Sequence, residues 1–135
     1  MIELILNKIK IDEARNEQVI IFREKDGERY LPVVIGMAEV NSIKLKLSGI
    51  KPPRPLTHDL FSQIFDKCNI RLEKVVIDRL ENNTFFAKIH LHQKDVEPGV
   101  VIDARPSDSV AIALRTGAPV FVDEDVLGQA GVTDI

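Results

Sequence analysis

The chain contains no tryptophan, one tyrosine and a single cysteine among 135 residues. With so few large aromatic rings, the core must be built mainly from isoleucine, valine and leucine. Because Cys68 has no second cysteine to pair with, the fold cannot depend on an internal disulfide bond. Cys68 falls within an apolar helical pattern, which predicts a buried and unreactive thiol. A single cysteine is also consistent with a reducing compartment.

Long hydrophobic runs are absent as well. No apolar stretch approaches the roughly 18 residues that a membrane-spanning helix requires. The first residues alternate between apolar and polar types and have no small-residue cleavage site, so they indicate a strand and not a signal peptide. We therefore expect a cytoplasmic protein that does not contact a membrane. The net charge of −3 argues against binding nucleic acid through the surface as a whole.

The signatures of the most easily recognised enzymes are missing too. The chain has no glycine-rich phosphate loop, dinucleotide fingerprint, paired CxxC, HExxH or GxSxG motif, so no organic cofactor is expected. Charge is nevertheless unevenly spread. Between Glu39 and Asp59 there are four basic residues and no acid, whereas residues 117–135 contain acids and no lysine or arginine. These stretches could be ordinary solvated faces, or the basic one could guide a nucleic-acid strand.

The apolar periodicity predicts an α+β fold in a single domain, residues 1–135, with a mainly antiparallel or mixed sheet and three to four helices. Strands are expected over residues 2–11 (with a bulge near Asn7-Lys8), 18–24, 29–35, 70–80, 84–94, 100–103 and 120–122. Helices are expected over residues 37–48, from an N-cap at Thr57, over 106–115 and in a short acidic segment after Asp123. The second helix would turn Leu60, Phe61, Ile64 and Phe65 toward the core.

Two short polar segments are the main functional clue. They are Pro53–Asp59 and Asp103–Asp108, and each places carboxylates, an arginine and a histidine or hydroxyl group at the start of an apolar helix. If the two segments meet in space, they form a site with both acidic and basic groups. A structural role is the alternative, since Thr57, Asp59, Ser107 and Asp108 are all suited to capping a helix N-terminus.

His58 and Arg105 are less easily explained as caps. At the start of a helix the dipole disfavours protonation of His58, and a neutral imidazole can act as a general base or as a metal ligand. Arg105 must pair with a carboxylate or bind an anion such as phosphate. His90 and His92 share a strand face at a spacing that could serve one metal, although exposed strand histidines are the favoured interpretation.

Three ordered segments resemble the bifunctional nuclease domain family: Leu31–Glu39, Pro53–Leu60 and Asp103–Arg115. The resemblance extends over nearly the whole chain, which is similar to a small stand-alone bacterial member of the family. It implies an α+β fold, a homo-oligomer, for which we favour a dimer, and cleavage of DNA and RNA with little sequence preference. The positions that match the polar motifs of the family are Glu39, Arg54, Thr57, His58, Asp59, Asp103, Arg105, Ser107 and Asp108.

The first functional hypothesis is therefore a metal-assisted phosphodiesterase that acts on nucleic acid. The predicted catalytic residues are His58, Asp59, Asp103, Arg105 and Asp108. The predicted ligands for Mg²⁺ or Mn²⁺ are Glu39, Asp59, Asp103 and Asp108. The predicted substrate-binding residues are Lys51, Arg54, Thr57 and Ser107.

Two other hypotheses compete with hydrolysis. In a non-catalytic module that binds an anion or a partner, the aspartates would pair with Arg54, Arg105 and Arg115 and leave no room for a metal. In an oligomer, the apolar segment Val110–Leu114 would pack across a two-fold axis. Geometry separates these hypotheses, because an open pocket would hold the carboxylates of Asp59 and Asp103 within about 6 Å of one another, whereas a binding module would cap each with an arginine.

Overall fold

One seven-stranded mixed sheet runs through the molecule in the order β3-β2-β1-β7-β4-β5-β6, and four helices accompany it. The computed structural model describes all of residues 1–135. The strands are β1 (Ile2–Asp12), β2 (Glu17–Glu24), β3 (Tyr30–Ile35), β4 (Ile70–Glu81), β5 (Thr84–Gln93), β6 (Val100–Ala104) and β7 (Val120–Val122). The helices are α1 (Met37–Ser48), α2 (Thr57–Lys67), α3 (Pro106–Thr116) and α4 (Glu124–Ala130). The predicted α+β class is confirmed.

Residues that tolerate a positive φ set the ends of several elements. Gly49 and Gly117 terminate α1 and α3 with φ of 75° and 79°, a region that glycine enters without steric cost. Asn82 and Asn83 adopt φ of 51° and 60° and turn β4 back into β5. The predicted irregularity in β1 is present as a register shift between Leu6 and Lys8.

The short strand β7 joins two halves of the sheet that are distant in sequence. It pairs antiparallel with β1 and parallel with β4, so it lies between the meander β1–β3 and the hairpin β4–β5. Sequence periodicity predicted the strand but not this central position. The insertion makes one continuous sheet, and a single core cluster contains buried residues from its strands and from all four helices.

Helix α3 is the centre of the helical layer. It packs against α1, α2, β4 and β5, and Val110, Ala111, Ile112 and Ala113 are all buried. This burial was predicted from the nearly continuous apolar run. The alternative in which Val110–Leu114 packs across a two-fold axis is wrong, because the chain's own sheet and helices already cover that segment.

Helix α2 corrects three predictions. The N-cap is Leu56 and not Thr57, which is the first helical residue. Of the four apolar residues expected to face the core only Phe65 is buried, whereas Leu60, Phe61 and Ile64 are each more than 40% exposed. Cys68, predicted to be buried, is exposed at the C-terminal end of α2. None of the four helices is long and apolar enough to cross a membrane.

Candidate functional site

A histidine in the first turn of α2 links the three longer helices. The ring of His58 lies between Ser42 on α1 and Asp108 on α3, with Nδ1 2.6 Å from Ser42 Oγ and Nε2 2.9 Å from Asp108 Oδ1. His58 and Ser42 are both buried. Residues from α1 and from both predicted polar segments therefore converge, although Asp103 does not join them.

The positions of the protons among Ser42, His58 and Asp108 follow from the ionisation of Asp108. Burial alone would raise the pKa of Asp108, but hydrogen bonds from Arg105 and His58 outweigh burial and hold the pKa below its ordinary value. An ionised carboxylate can only accept, so the Nε2–H group of His58 donates to Asp108. In the neutral ring Nδ1 then carries the lone pair, and the hydroxyl group of Ser42 donates to Nδ1.

Arg105 bridges two of the predicted metal ligands. Its Nε donates to Asp108 Oδ2 at 2.8 Å, and its Nη2 lies 2.8 Å from Glu39 Oε1. The guanidinium side chain is 66% exposed even with both partners bound. Arg105 therefore presents an exposed guanidinium group, paired with two carboxylates, directly beside the histidine.

Asp59 lies near this group but has a different environment. Arg115, whose side chain is only 5% exposed, donates from Nε to Asp59 Oδ1 at 2.5 Å, and the backbone N–H of Leu56 donates to Oδ2 at 2.9 Å. Burial would raise the pKa of Asp59, but the Leu56 amide and Arg115 lower it overall. Both carboxylate oxygens are thus engaged in holding the start of α2 to the end of α3.

Asp103 is on the other face of the sheet. It lies opposite Lys88 in the β5–β6 pairing, its carboxylate is 3.5 Å from Lys88 Nζ, and Lys88 also contacts Asp78 at 3.3 Å. This is the face opposite Ala87 and Ile89, which point into the core. The expectation that Asp59 and Asp103 share one pocket is wrong, because consecutive strand residues alternate between faces and Asp103 points away from the helices.

The carboxylates do not assemble a cation site. No group of three or more histidine, cysteine, aspartate or glutamate side chains is arranged to hold a metal ion. Glu39 and Asp108 share Arg105, Asp59 binds Arg115, and Asp103 is remote. The residues as placed therefore do not fit the predicted Mg²⁺ or Mn²⁺ site. His92 pairs instead with Glu97 at 2.7 Å.

Two adjoining cavities flank this cluster. The smaller, of about 370 Å³, is lined by residues that include Glu39, Ser42, His58, Arg105 and Asp108. The larger, of about 760 Å³, extends along the proline-rich connector 49–56, and Lys46 and Lys51 line it. Leu45 and Leu56 border both cavities, which together form one groove.

The remaining predicted residues are distributed unevenly around this groove. Lys51 lines the larger cavity and Thr57 the smaller one. Arg54 is exposed but lines neither, and Ser107 is buried at the start of α3. Ser42 was not among the predicted site residues. Its position three residues after Glu39, on the same face of α1, was the signal that could have revealed it.

Comparison with known proteins supplies the family. The family model described as the bifunctional nuclease domain matches residues 20–134. The chain belongs to the bifunctional nuclease domain family. An uncharacterized protein of Mycobacterium tuberculosis is 43% identical over 124 residues, which is 92% of this chain and 73% of the relative.

Plant members of the bifunctional nuclease domain family are more distant. The rice protein Bifunctional nuclease 1 (Oryza sativa subsp. indica) is 23% identical over 90% of this chain, and Bifunctional nuclease 2 (subsp. japonica) is 25% identical over 93%. The matched regions are 37% and 39% of those two proteins. This chain therefore corresponds to a minor part of each rice protein, and the similarity concerns the domain.

Proposed function

We propose that this protein is a nuclease that cleaves DNA and RNA phosphodiester bonds with little sequence preference. The observation that carries the proposal is the groove, which has two lysines at one end and the Ser42–His58–Asp108 cluster with Arg105 at the other. Family membership and the names of the rice relatives give further support.

The larger cavity offers cationic contacts for phosphates. Lys46 and Lys51 line it, whereas Arg105 lines the smaller cavity beside its two carboxylate partners. Contacts of cationic side chains to phosphates position a strand without reading its bases. No phenylalanine, tyrosine or tryptophan lines either cavity, so the groove offers no aromatic platform on which bases would stack. Little sequence preference is the expected result.

His58 is the acid–base group of the proposed reaction. Its ring is held between Ser42 and Asp108 and lines the smaller cavity beside Arg105. Arg105 would offset negative charge that develops on the phosphate oxygens. Because the carboxylates do not fit a cation site, the proposed reaction is assigned to side chains of the protein, and assays with Mg²⁺, Mn²⁺ or a chelator measure any dependence on a metal.

Cleavage of plasmid DNA and of RNA by the purified protein tests this proposal, with Mg²⁺, Mn²⁺ or a chelator in parallel. We expect His58→Ala to lower the cleavage rate at least 100-fold, since general acid–base catalysis typically contributes about 10²–10⁴-fold. His92→Ala is the matched control and keeps the full rate, because His92 pairs with Glu97 outside the groove. Equal rates in the wild type and His58→Ala, with matching melting temperatures, would trace the activity to a contaminant.

The phosphate contacts can be counted separately from catalysis. The double variant Lys46→Gln/Lys51→Gln should reduce the slope of log affinity against log salt concentration by about two for a labelled oligonucleotide, since each lost phosphate contact removes about one from the slope. Lys10→Gln/Lys94→Gln makes the same change in net charge at exposed positions outside both cavities. Anisotropy titrations that give the same slope for both doubles would rule out the groove as the binding surface.

A non-catalytic module that binds an anion or a partner is the second candidate. The observation that favours it is that Asp59 and Asp108 are each paired with an arginine, as that hypothesis predicted. Oligonucleotide binding without cleavage under every metal condition would establish this function instead. The homo-oligomer, with a dimer favoured, and the cytoplasmic location stay predictions, of which sedimentation velocity measures the first.

A further inference from the structure

The hydroxyl group of Ser42 has an unusual partner for a helical serine. Within a helix a serine hydroxyl commonly donates to a backbone carbonyl three or four residues earlier. Ser48 and Ser109 do so, with Leu45 O at 2.9 Å and Arg105 O at 2.8 Å. Ser42 Oγ instead bonds to His58 Nδ1 at 2.6 Å across 16 residues of sequence. Tertiary contacts, and not the local helix, therefore determine its orientation.

The direction of the hydrogen bonds matters for reactivity. The Asp108 carboxylate accepts from Nε2–H and so fixes the tautomer in which Nδ1 is the basic nitrogen. That nitrogen faces the Ser42 hydroxyl. Serine nucleophiles are activated by groups in the order carboxylate–imidazole–hydroxyl. This arrangement is recognised by its geometry and by the role of each group, and not by sequence position. The ring is turned relative to serine proteases, in which Nε2 faces the serine.

The Ser42–His58–Asp108 cluster also borders a cavity. Ser42, His58 and Asp108 all line the cavity of about 370 Å³, together with Arg105. Arg105 supplies a cationic group at the same wall of the cavity, where an anionic phosphoryl group would lie. A purely internal staple would need neither a cavity nor an exposed guanidinium next to it.

We propose that Ser42 is the nucleophile of this site and that it forms a covalent phosphoserine intermediate, an inference that rests on the proposed nuclease function. Ser42 Oγ bonds to phosphorus while the bond from phosphorus to the leaving strand oxygen breaks. The serine proton moves to His58 Nδ1 and then to the leaving oxygen. Water next attacks phosphorus, gives a proton to Nδ1, and releases the phosphorylated strand end as Ser42 regains its proton. Asp108 stabilises the transient imidazolium in both halves.

Labelling with diisopropyl fluorophosphate tests this assignment in the intact wild-type protein. The activated serine oxygen bonds to the phosphorus of the reagent and displaces fluoride, which leaves with the proton that the serine has lost. We expect one adduct by intact mass, located on Ser42 by peptide mapping, and none in Ser42→Ala. Labelling should be at least tenfold slower in His58→Gln and in Asp108→Asn. Ser48→Ala, which changes a serine of α1 outside both cavities, should label like the wild type.

The two proposals fail in different ways. Because labelling uses no nucleic acid, a protein that labels at Ser42 but cleaves neither DNA nor RNA contradicts the nuclease function and leaves an activated serine. Cleavage that is unchanged in Ser42→Ala, or a wild type with no adduct on Ser42, overturns the nucleophile assignment. A labelling rate in His58→Gln equal to that of the wild type overturns it as well.

Discussion

Arg105, the N-cap of α3, and Arg115, in its last turn, show how the environment gives one residue type two different roles. Arg115 is 5% exposed and donates to Asp59, to Ala111 O at 2.9 Å and to Ser42 O at 3.3 Å. Arg105 is 66% exposed and binds two carboxylates at the wall of a cavity. Arg115 therefore fixes the positions of α1, α2 and α3, while Arg105 has the freedom to contact a ligand.

These roles predict different losses of stability. Arg115→Gln should lower the free energy of unfolding by about 2 kcal/mol, since removing the buried partner of a partly buried pair leaves the Asp59 charge uncompensated. Arg105→Gln should cost less than about 1 kcal/mol, because exposed ion pairs contribute little. Urea unfolding of both variants measures the difference. Equal losses would contradict the assignment of Arg115 as the structural arginine.

At this scale the sequence pointed to residues that come together better than to the partners that they bind. The polar segments contain His58, Arg105 and Asp108, which lie in one hydrogen-bonded group. The position of Asp103 was beyond reach, since it depends on the face of β6 that pairs with Lys88. Ser42 was overlooked because its importance comes from a contact between helices and not from a local motif.

Helix α2 shows why periodicity did not fix the buried side of an element. His58 and Phe65, seven residues apart, share the face that packs against α3 and β4 and are the two buried residues of α2. Phe61 lies beside that face, whereas Leu60 and Ile64 point away from it. The apolar pattern predicted that those three residues face the core. It did not include the histidine, because burial of that ring depends on hydrogen bonds to a serine and an aspartate that the pattern does not show.

Substitutions in α2 check this orientation. Phe65→Ala should lower the free energy of unfolding by about 3 kcal/mol, as expected for the loss of a buried phenyl ring. Ile64→Gln, one position away and 44% exposed, should change it by less than about 0.5 kcal/mol. Thermal and urea unfolding of the two variants provide the measurement. A larger loss in Ile64→Gln than in Phe65→Ala would place the helix in the opposite orientation.

Element bounds themselves were largely within reach of the sequence. Glycine and asparagine mark the ends of α1, α3 and the β4–β5 turn, since positive φ favours these residues. The order of the strands was less accessible, because β7 reaches its place between β1 and β4 through pairings that no local pattern encodes.

Across the molecule, ionised carboxylates connect parts of the chain that the sheet alone does not join. Arg29, which directly precedes β3, bonds to Glu24 of β2 and to Glu124 of α4, 95 residues away. These hydrogen bonds lower the pKa of both glutamates. Asp59 and Asp108 also have lowered pKa values, so ionised carboxylates stabilise both the site and the periphery of the fold.

Acid should therefore destabilise the protein. A carboxylate with a lower pKa in the folded state contributes stability above its unfolded pKa, which is 3.8 for aspartate and 4.5 for glutamate, and loses it as pH falls through the folded value. We expect the free energy of unfolding to fall steadily below about pH 4.5. Urea titrations between pH 7 and pH 3 measure this dependence. A constant free energy over that interval would contradict the ion-pair assignments.

The exposed position of Cys68 has a practical consequence for the whole molecule. A thiol with no second cysteine in its own chain can form a disulfide bond only with another molecule. On storage in air the protein is expected to accumulate covalently linked pairs, joined end to end at their second helices. Such pairs would sediment like a genuine assembly, so a reductant or a Cys68→Ser variant is needed before any mass is ascribed to association.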